Sequence, residues 1–162
     1  MTSRVQKLAN EVLDALGSCG LSLATAESCT GGGIGQALTA VPGSSQIYRG
    51  GIISYTNGVK TGLLGVPEQL LRELGAVSAP VAEAMARGAR RACQADVAVS
   101  VTGLAGPGGD EFGNPVGTVW LACAWQDRVC SICCHFAGDR EAVREQARCR
   151  ALELILEAGG LG

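Results

Sequence analysis

Short apolar runs, each ending in a polar or glycine-rich loop and followed by a helical stretch, constrain this chain more than any other feature. Residues 21–26 run directly into Glu27-Ser28-Cys29-Thr30-Gly31-Gly32-Gly33, then a helical stretch to about residue 40. Pro42-Gly43-Ser44-Ser45 is a break. Residues 50–55 form a second run, followed by short helices over 56–64 and 67–74, with Pro67 in a first turn. A longer helix over 78–93 has Ser78 as its candidate cap. Residues 96–101 form a third apolar run, and 102–115 a loop rich in glycine and proline. Residues 116–125 and 128–136 read as two strands around a turn at Gln126-Asp127. Asp139 caps a last helix to about residue 157, with Gly159-Gly160 beyond it. Strands separated by helices need a sheet covered on both faces, and the late hairpin makes that sheet mixed. The expectation is an α/β fold: a single-domain three-layer α/β/α sandwich over 1–162, with a mixed, mostly parallel sheet and a late hairpin.

Composition narrows the function. Hydrophobic residues are 47% of the chain and charged residues 17%, which excludes a disordered segment. Aromatics are only 4%, so the core must be aliphatic. The net charge of −2 argues against nucleic acid as a partner. Residues 1–16 read as an amphipathic helix, with Val5, Leu8, Val12, Leu13 and Leu16 on one side and no signal-peptide pattern. No run reaches membrane-spanning length, so the expected location is the cytoplasm, with no membrane partner. A homodimer is expected from the apolar content and from an N-terminal helix able to pack on a partner. The eight cysteines are expected as reduced thiols. Cys130, Cys133 and Cys134 lie in a strand-like run whose side chains alternate in direction, so they read as core residues and no metal is expected.

In such sheets ligands bind beyond the carboxyl ends of the strands. Three loops fall there: at Ser28, after Tyr55 and from Thr102. A hydroxyl at a strand-to-helix turn can attack a carbonyl while free N–H groups hold the oxyanion. Ser28 or Thr30 could equally just cap the helix. A serine nucleophile needs a base. The sole histidine, His135, lies in the last strand, and a Ser-His-Asp arrangement does not fit it well. Lysine is the alternative: only Lys7 and Lys60 are present, and Lys60 follows the second strand. A lysine kept partly dry can lose its proton near neutral pH. Read blandly, Lys60 is a solvated helix residue. The loop Thr102-Gly103-Leu104-Ala105-Gly106-Pro107-Gly108-Gly109 could line a phosphate or ribose, or be a plain turn. Arg140, Arg144 and Arg148 share a helix face that by default is solvated, although Arg140 could reach a substrate phosphate.

These pieces resemble one family, the CinA C-terminal domain, also known as PncC-type nicotinamide-nucleotide amidases. The resemblance rests on Ala26-Glu27-Ser28-Cys29-Thr30-Gly31-Gly32, Val41-Pro42-Gly43-Ser44-Ser45, and Gly50 through Asn57 with Lys60. It continues through Leu64-Gly65-Val66-Pro67, Gly75-Ala76-Val77-Ser78, Thr102 through Pro107, Pro115-Val116-Gly117-Thr118-Val119-Trp120 and Gly138-Asp139-Arg140. It implies deamidation of nicotinamide mononucleotide to the nicotinate mononucleotide and ammonia, with no cofactor. It also implies Ser28 as nucleophile, Lys60 as base, and Tyr55 and Thr102 assisting. Glu27, Cys29, Thr30, Gly31, Gly32, Asn57, Gly103, Ala105, Gly106 and Arg140 would surround the substrate. The chain departs from the family at Asn114, where a lysine often stands, a missing charge that could weaken phosphate binding or alter substrate preference. Many family members also carry a large N-terminal domain resembling a molybdopterin-binding fold. The resemblance here begins near residue 5, so pyrophosphatase activity linked to that domain is not expected. Two alternatives stay open: Cys29 as nucleophile, since a helix start favours a thiolate, and a non-catalytic nucleotide-binding or interaction module linked to competence or DNA damage.

Overall fold

The computed structural model describes residues 2–158. The first helix, α1 (Arg4–Cys19), starts at Ser3, whose hydroxyl accepts from the Gln6 N–H, and stops at Gly20 in the left-handed region. Ala9, Val12, Leu13 and Leu16 form its buried stripe. Next come β1 (Leu23–Glu27), α2 (Gly33–Thr39), a single 3-10 turn (Ser44–Gln46) and β2 (Tyr48–Ile53). Then follow α3 (Asn57–Leu64), α4 (Glu68–Leu74), α5 (Ala79–Cys93) and β3 (Val97–Gly103). The hairpin β4 (Thr118–Trp125) and β5 (Arg128–His135) leads into α6 (Arg140–Glu157). Gly159-Gly160 lies outside the described residues.

The sheet order is β2-β1-β3-β4-β5. β1 pairs in parallel with both β2 and β3, and β4 pairs antiparallel with β3 and β5. Only β4 therefore runs against the other four, and the mixed α/β sheet stands as read. Alternation along each strand sorts the two faces. Leu23, Val97, Val99, Val101, Val119, Leu121 and Cys123 meet the buried sides of α1, α2 and α6. Ala24, Ala26, Ala98, Ala122 and Ala124 face the other way, toward α5 with α3 and α4. The alanine face lets α5 lie close to the sheet, and the buried Ser100 hydroxyl fastens it by donating to the Ala82 carbonyl at 2.6 Å. Among the described residues no helix is long and apolar enough to cross a membrane.

Several local expectations need correction. Ser78 does stand at the N-cap of α5, but its hydroxyl donates back to the Gly75 carbonyl at 2.9 Å and not into the helix. Pro67 sits one place before the first turn of α4, at the cap itself. Thr102 and Gly103 are not loop residues, because pairing with Trp120 and Val119 extends β3 through them. β2 starts at Tyr48, where the Tyr48 and Thr25 hydroxyls meet at 2.7 Å and tie the strand to β1.

Close approach of α5 and α3 sets a stability test. A Cβ on Gly88 would lie 2.0 Å from the Leu64 carbonyl oxygen, whereas one on Gly62 would meet nothing. Gly88→Ala should therefore destabilise the fold by about 1–3 kcal/mol or more. Gly62→Ala, within α3, should stabilise it by roughly 0.5–1 kcal/mol. Urea unfolding of both variants checks the contrast.

Candidate active site

The carboxyl ends of β1, β2 and β3 converge on a cavity of about 480 Å3 lined by Ser28, Lys60, Tyr55, Thr102 and Arg140, among others. Ser28 follows β1 directly, and its N–H donates to the Val101 carbonyl at 3.0 Å, continuing the sheet pairing by one residue. Lys60 lies on α3 four residues before Leu64, and these two are the buried residues of that helix. A lysine thus occupies the core-facing stripe of a short helix, with 1% of its surface exposed. Its Nζ lies 3.0 Å from Ser28 Oγ, 2.8 Å from the Ser54 carbonyl oxygen and 3.4 Å from that of Tyr55. A neutral amine has two N–H bonds and one lone pair. With the two carbonyls taking the N–H bonds, the lone pair is left for the Ser28 hydroxyl. Burial brings the Lys60 pKa down from 10.5 to about 8, which makes that neutral form accessible.

The turn after β1 is held by a buried carboxylate. Glu27, 2% exposed, accepts from the Thr30 hydroxyl at 2.7 Å, the Ile34 N–H at 2.9 Å and the Gly35 N–H at 3.0 Å. Neither Ser28 nor Thr30 caps α2; Gly32, at φ 98°, occupies the cap position, and Glu27 takes the free N–H groups of the first turn. That leaves the Ser28 hydroxyl free of a capping role. Glu27, Thr30, Gly31 and Gly32 lie behind the cavity wall and do not line it, whereas Cys29, Asn57, Gly103, Ala105 and Gly106 do. Gly31 and Gly33 donate their N–H groups to the Ser28 and Thr30 carbonyls. Among the described residues, the Cys29 N–H donates to no carbonyl, and Cys29 borders the cavity. Burial pushes the Cys29 thiol up to about 11, the reverse of an activated thiolate.

Tyr55 meets Lys60 through its carbonyl and not its phenol, and the Thr102 hydroxyl turns away from the pair. The Thr102 hydroxyl donates to the Ala76 carbonyl at 2.9 Å. Tyr55 is 59% exposed, and its phenol oxygen accepts from Arg140 at 3.2 Å. Arg140 also donates to the Gly106 carbonyl at 2.6 Å, so one guanidinium joins the Tyr55 and Gly106 loops.

The arginine face of α6 is not simply solvated. Arg144 donates to the Cys29 carbonyl at 3.1 Å and pairs with Glu141 at 2.9 Å, pinning the nucleophile turn. Asn114 is drawn inward: its side chain donates to Asp110 at 2.8 Å, and Asp110 also accepts the Phe112 and Asn114 N–H groups.

Phe112 escaped the sequence reading. It stands at the cavity rim with its ring over Gly75, where a Cβ would come within 2.5 Å of the ring. The readable signal was an aromatic residue inside a glycine-rich loop of a chain with only two phenylalanines.

Fold and site together define a three-layer α/β domain that buries a lysine against a serine at its strand ends. The chain belongs to the CinA C-terminal domain family, whose profile matches residues 5–158. It is 54% identical over 135 residues to the nicotinamide-nucleotide amidohydrolase PncC of Pseudomonas putida, covering 83% of this chain and 84% of that protein. It is 50% identical over 151 residues to a CinA-like protein of Synechococcus sp. (strain CC9902), covering 91% of this chain but 36% of that one. Among solved structures, a competence-damaged protein (CinA) superfamily protein from Klebsiella pneumoniae superposes with a TM-score of 0.92 at 35% identity. That match covers 94% of this chain and 96% of the other. A competence/damage inducible protein from Agrobacterium tumefaciens gives 0.92 at 38%, covering 97% and 96%.

The Glu27 arrangement yields a stability test. Glu27→Gln keeps the shape but replaces one acceptor oxygen by a donor facing N–H groups. It should cost about 1–3 kcal/mol, read as a lowered urea midpoint.

Proposed function

We propose that this chain hydrolyses the carboxamide of nicotinamide mononucleotide, giving the nicotinate mononucleotide and ammonia. The observation that carries the reading is the buried amine of Lys60 at 3.0 Å from Ser28 Oγ, with its N–H bonds directed to two carbonyls. The likeness to an amidohydrolase along most of both chains supports the substrate.

Neutral Lys60 takes the Ser28 proton as the oxygen attacks the carboxamide carbon. The C=O bond opens to an oxyanion, for which the Cys29 N–H, bonded to no carbonyl among the described residues, is a candidate donor. Lys60 then gives its proton to the amide nitrogen, the C–N bond breaks, and ammonia leaves. Water adds to the acyl-serine ester, its proton passing to Lys60, and Ser28 is released as the nicotinate forms. Arg140 and the Gly103–Gly106 backbone are placed to hold the phosphoribosyl part. Tyr55 acts by orienting Arg140, and Thr102 by bracing the cavity floor against Ala76. Phe112 and Tyr55 present exposed rings to a pyridinium, which carries a permanent positive charge suited to an aromatic face.

Ammonia release from nicotinamide mononucleotide should fall roughly 10^3-fold or more in Ser28→Ala and Lys60→Ala, while Cys29→Ala keeps most activity. Full turnover by Ser28→Ala would end the mechanism. Because burial favours the uncharged amine, Lys60 is charged below about pH 8 and neutral above it. The rate constant kcat/KM should therefore climb through that pH and lose about tenfold per unit below it; a flat profile from pH 6 to 9 would contradict this. Phe112→Leu should raise KM for the nucleotide roughly 2- to 30-fold with little change in kcat.

A further inference from the structure

The eleven arginines of this chain are unevenly neutralised. Arg4, Arg72, Arg144, Arg148 and Arg150 form ion pairs with glutamates. Four of the other six, Arg87, Arg90, Arg91 and Arg128, line one cavity of about 510 Å3 whose walls hold one acidic residue, Asp127. None of the four has an ion-pair partner among the described residues. Four arginines and one aspartate leave +3 in this cavity, and since the chain carries −2, everything else sums to −5.

The cavity lies at the end of the sheet opposite Ser28 and Lys60, where Val97 pairs with Trp125. Arg90 donates there to the Asp96 carbonyl at 2.9 Å and to the Gln126 carbonyl, with the Asp96 carboxylate near it but not in ion-pair contact. Arg91 donates to the Leu64 carbonyl at 3.3 Å. Carbonyls orient a guanidinium without cancelling its charge. Nor do these arginines serve to close α5. The last carbonyls of that helix accept from the Ala95 and Gln94 N–H groups and from Arg49. Gln94 and Gln126 are the only non-glycine residues with positive φ among those described, at 52° and 53°, and both border this cavity. Each has a local cause, Gln94 as the left-handed cap that ends α5 and Gln126 in the two-residue turn between β4 and β5.

A second cavity of about 330 Å3 lies on the α1 and α6 side of the same sheet end, the first being on the α5 side, and the two meet around the β4–β5 turn through Arg90, Gln126 and Arg128. Its other walls include Leu21, Val97, Cys123, the ring of Trp125 and Asp96, whose carboxylate is occupied by the Ser22 N–H and hydroxyl and lies near Arg90, so the two cavities together carry +2. A cationic pocket that meets an aromatic cleft around the end of a sheet has the complementarity of one extended molecule carrying several phosphates and a flat base.

We propose that this end of the sheet binds a nucleoside polyphosphate, with its phosphates on Arg87, Arg90, Arg91 and Arg128 and its base against Trp125. A nucleic acid fits less well, because the acidic remainder of the surface would repel a long phosphate backbone.

The test uses the whole chain at constant ionic strength, with ATP, inorganic triphosphate and adenosine titrated by calorimetry and tryptophan fluorescence. ATP should bind saturably and change the fluorescence. Inorganic triphosphate should bind at least tenfold more weakly without that change, and adenosine more weakly still. The double variant Arg87→Gln/Arg128→Gln, whose side chains make no hydrogen bonds among the described residues, should weaken ATP at least tenfold. It should leave the melting temperature and amide hydrolysis unchanged. Trp125→Phe should abolish the fluorescence response while Trp120 remains. Absence of saturable ATP binding would overturn the proposal. So would binding indifferent to the double variant, binding competitive with nicotinamide mononucleotide and lost in Arg140→Gln, or tighter binding of a single-stranded oligonucleotide than of ATP.

Discussion

The site depends on one unfavourable act, the removal of a lysine amine from water. An ammonium in an apolar setting is costly, and among the described residues no carboxylate pairs with it. The amine instead shifts toward its neutral form, and what it keeps are two backbone carbonyls and a serine hydroxyl. The same burial that weakens the charge aims the lone pair. Base strength and geometry thus arise from a single cause, the placing of Lys60 on the core-facing stripe of α3.

Everything around that amine works to fix its partner. Ser28 would drift if the turn after β1 were held only by glycines, whose backbone is the most permissive. Glu27 prevents this from beneath by gathering the first N–H groups of α2. Arg144 prevents it from the α6 side through the Cys29 carbonyl. Arg140 draws the Tyr55 and Gly106 loops together over the mouth. The result is a nucleophile turn clamped on two sides by charged groups that never touch the reacting pair.

Much of this was legible in the chain. Aliphatic runs bounded by glycine and proline gave every strand, because local periodicity and turn chemistry suffice for elements of that length. The Ser28 turn and the isolated Lys60 drew notice for the same local reasons. Glu27 was read as touching substrate, and instead it braces the turn, since nothing in Ala26-Glu27-Ser28 tells which way a carboxylate points at the end of a buried strand. Arg144 was read as solvated because a charged helix face looks the same whether it meets water or a neighbouring loop. Ser78 holds the cap position it was read for, but its hydroxyl turned to Gly75.

The sequence by itself determined the order of strands and helices, the aliphatic core, and a serine and a lysine sited at strand ends. These follow from spacing within a few turns of chain, where neighbours are set by covalent geometry. Only the tertiary structure decided that residues thirty-two apart lie at 3.0 Å, that the lysine is dry, and that the arginines divide between clamping one end of the sheet and crowding the other. Burial and charge environment depend on what distant segments pack against a side chain, and no local pattern carries that information.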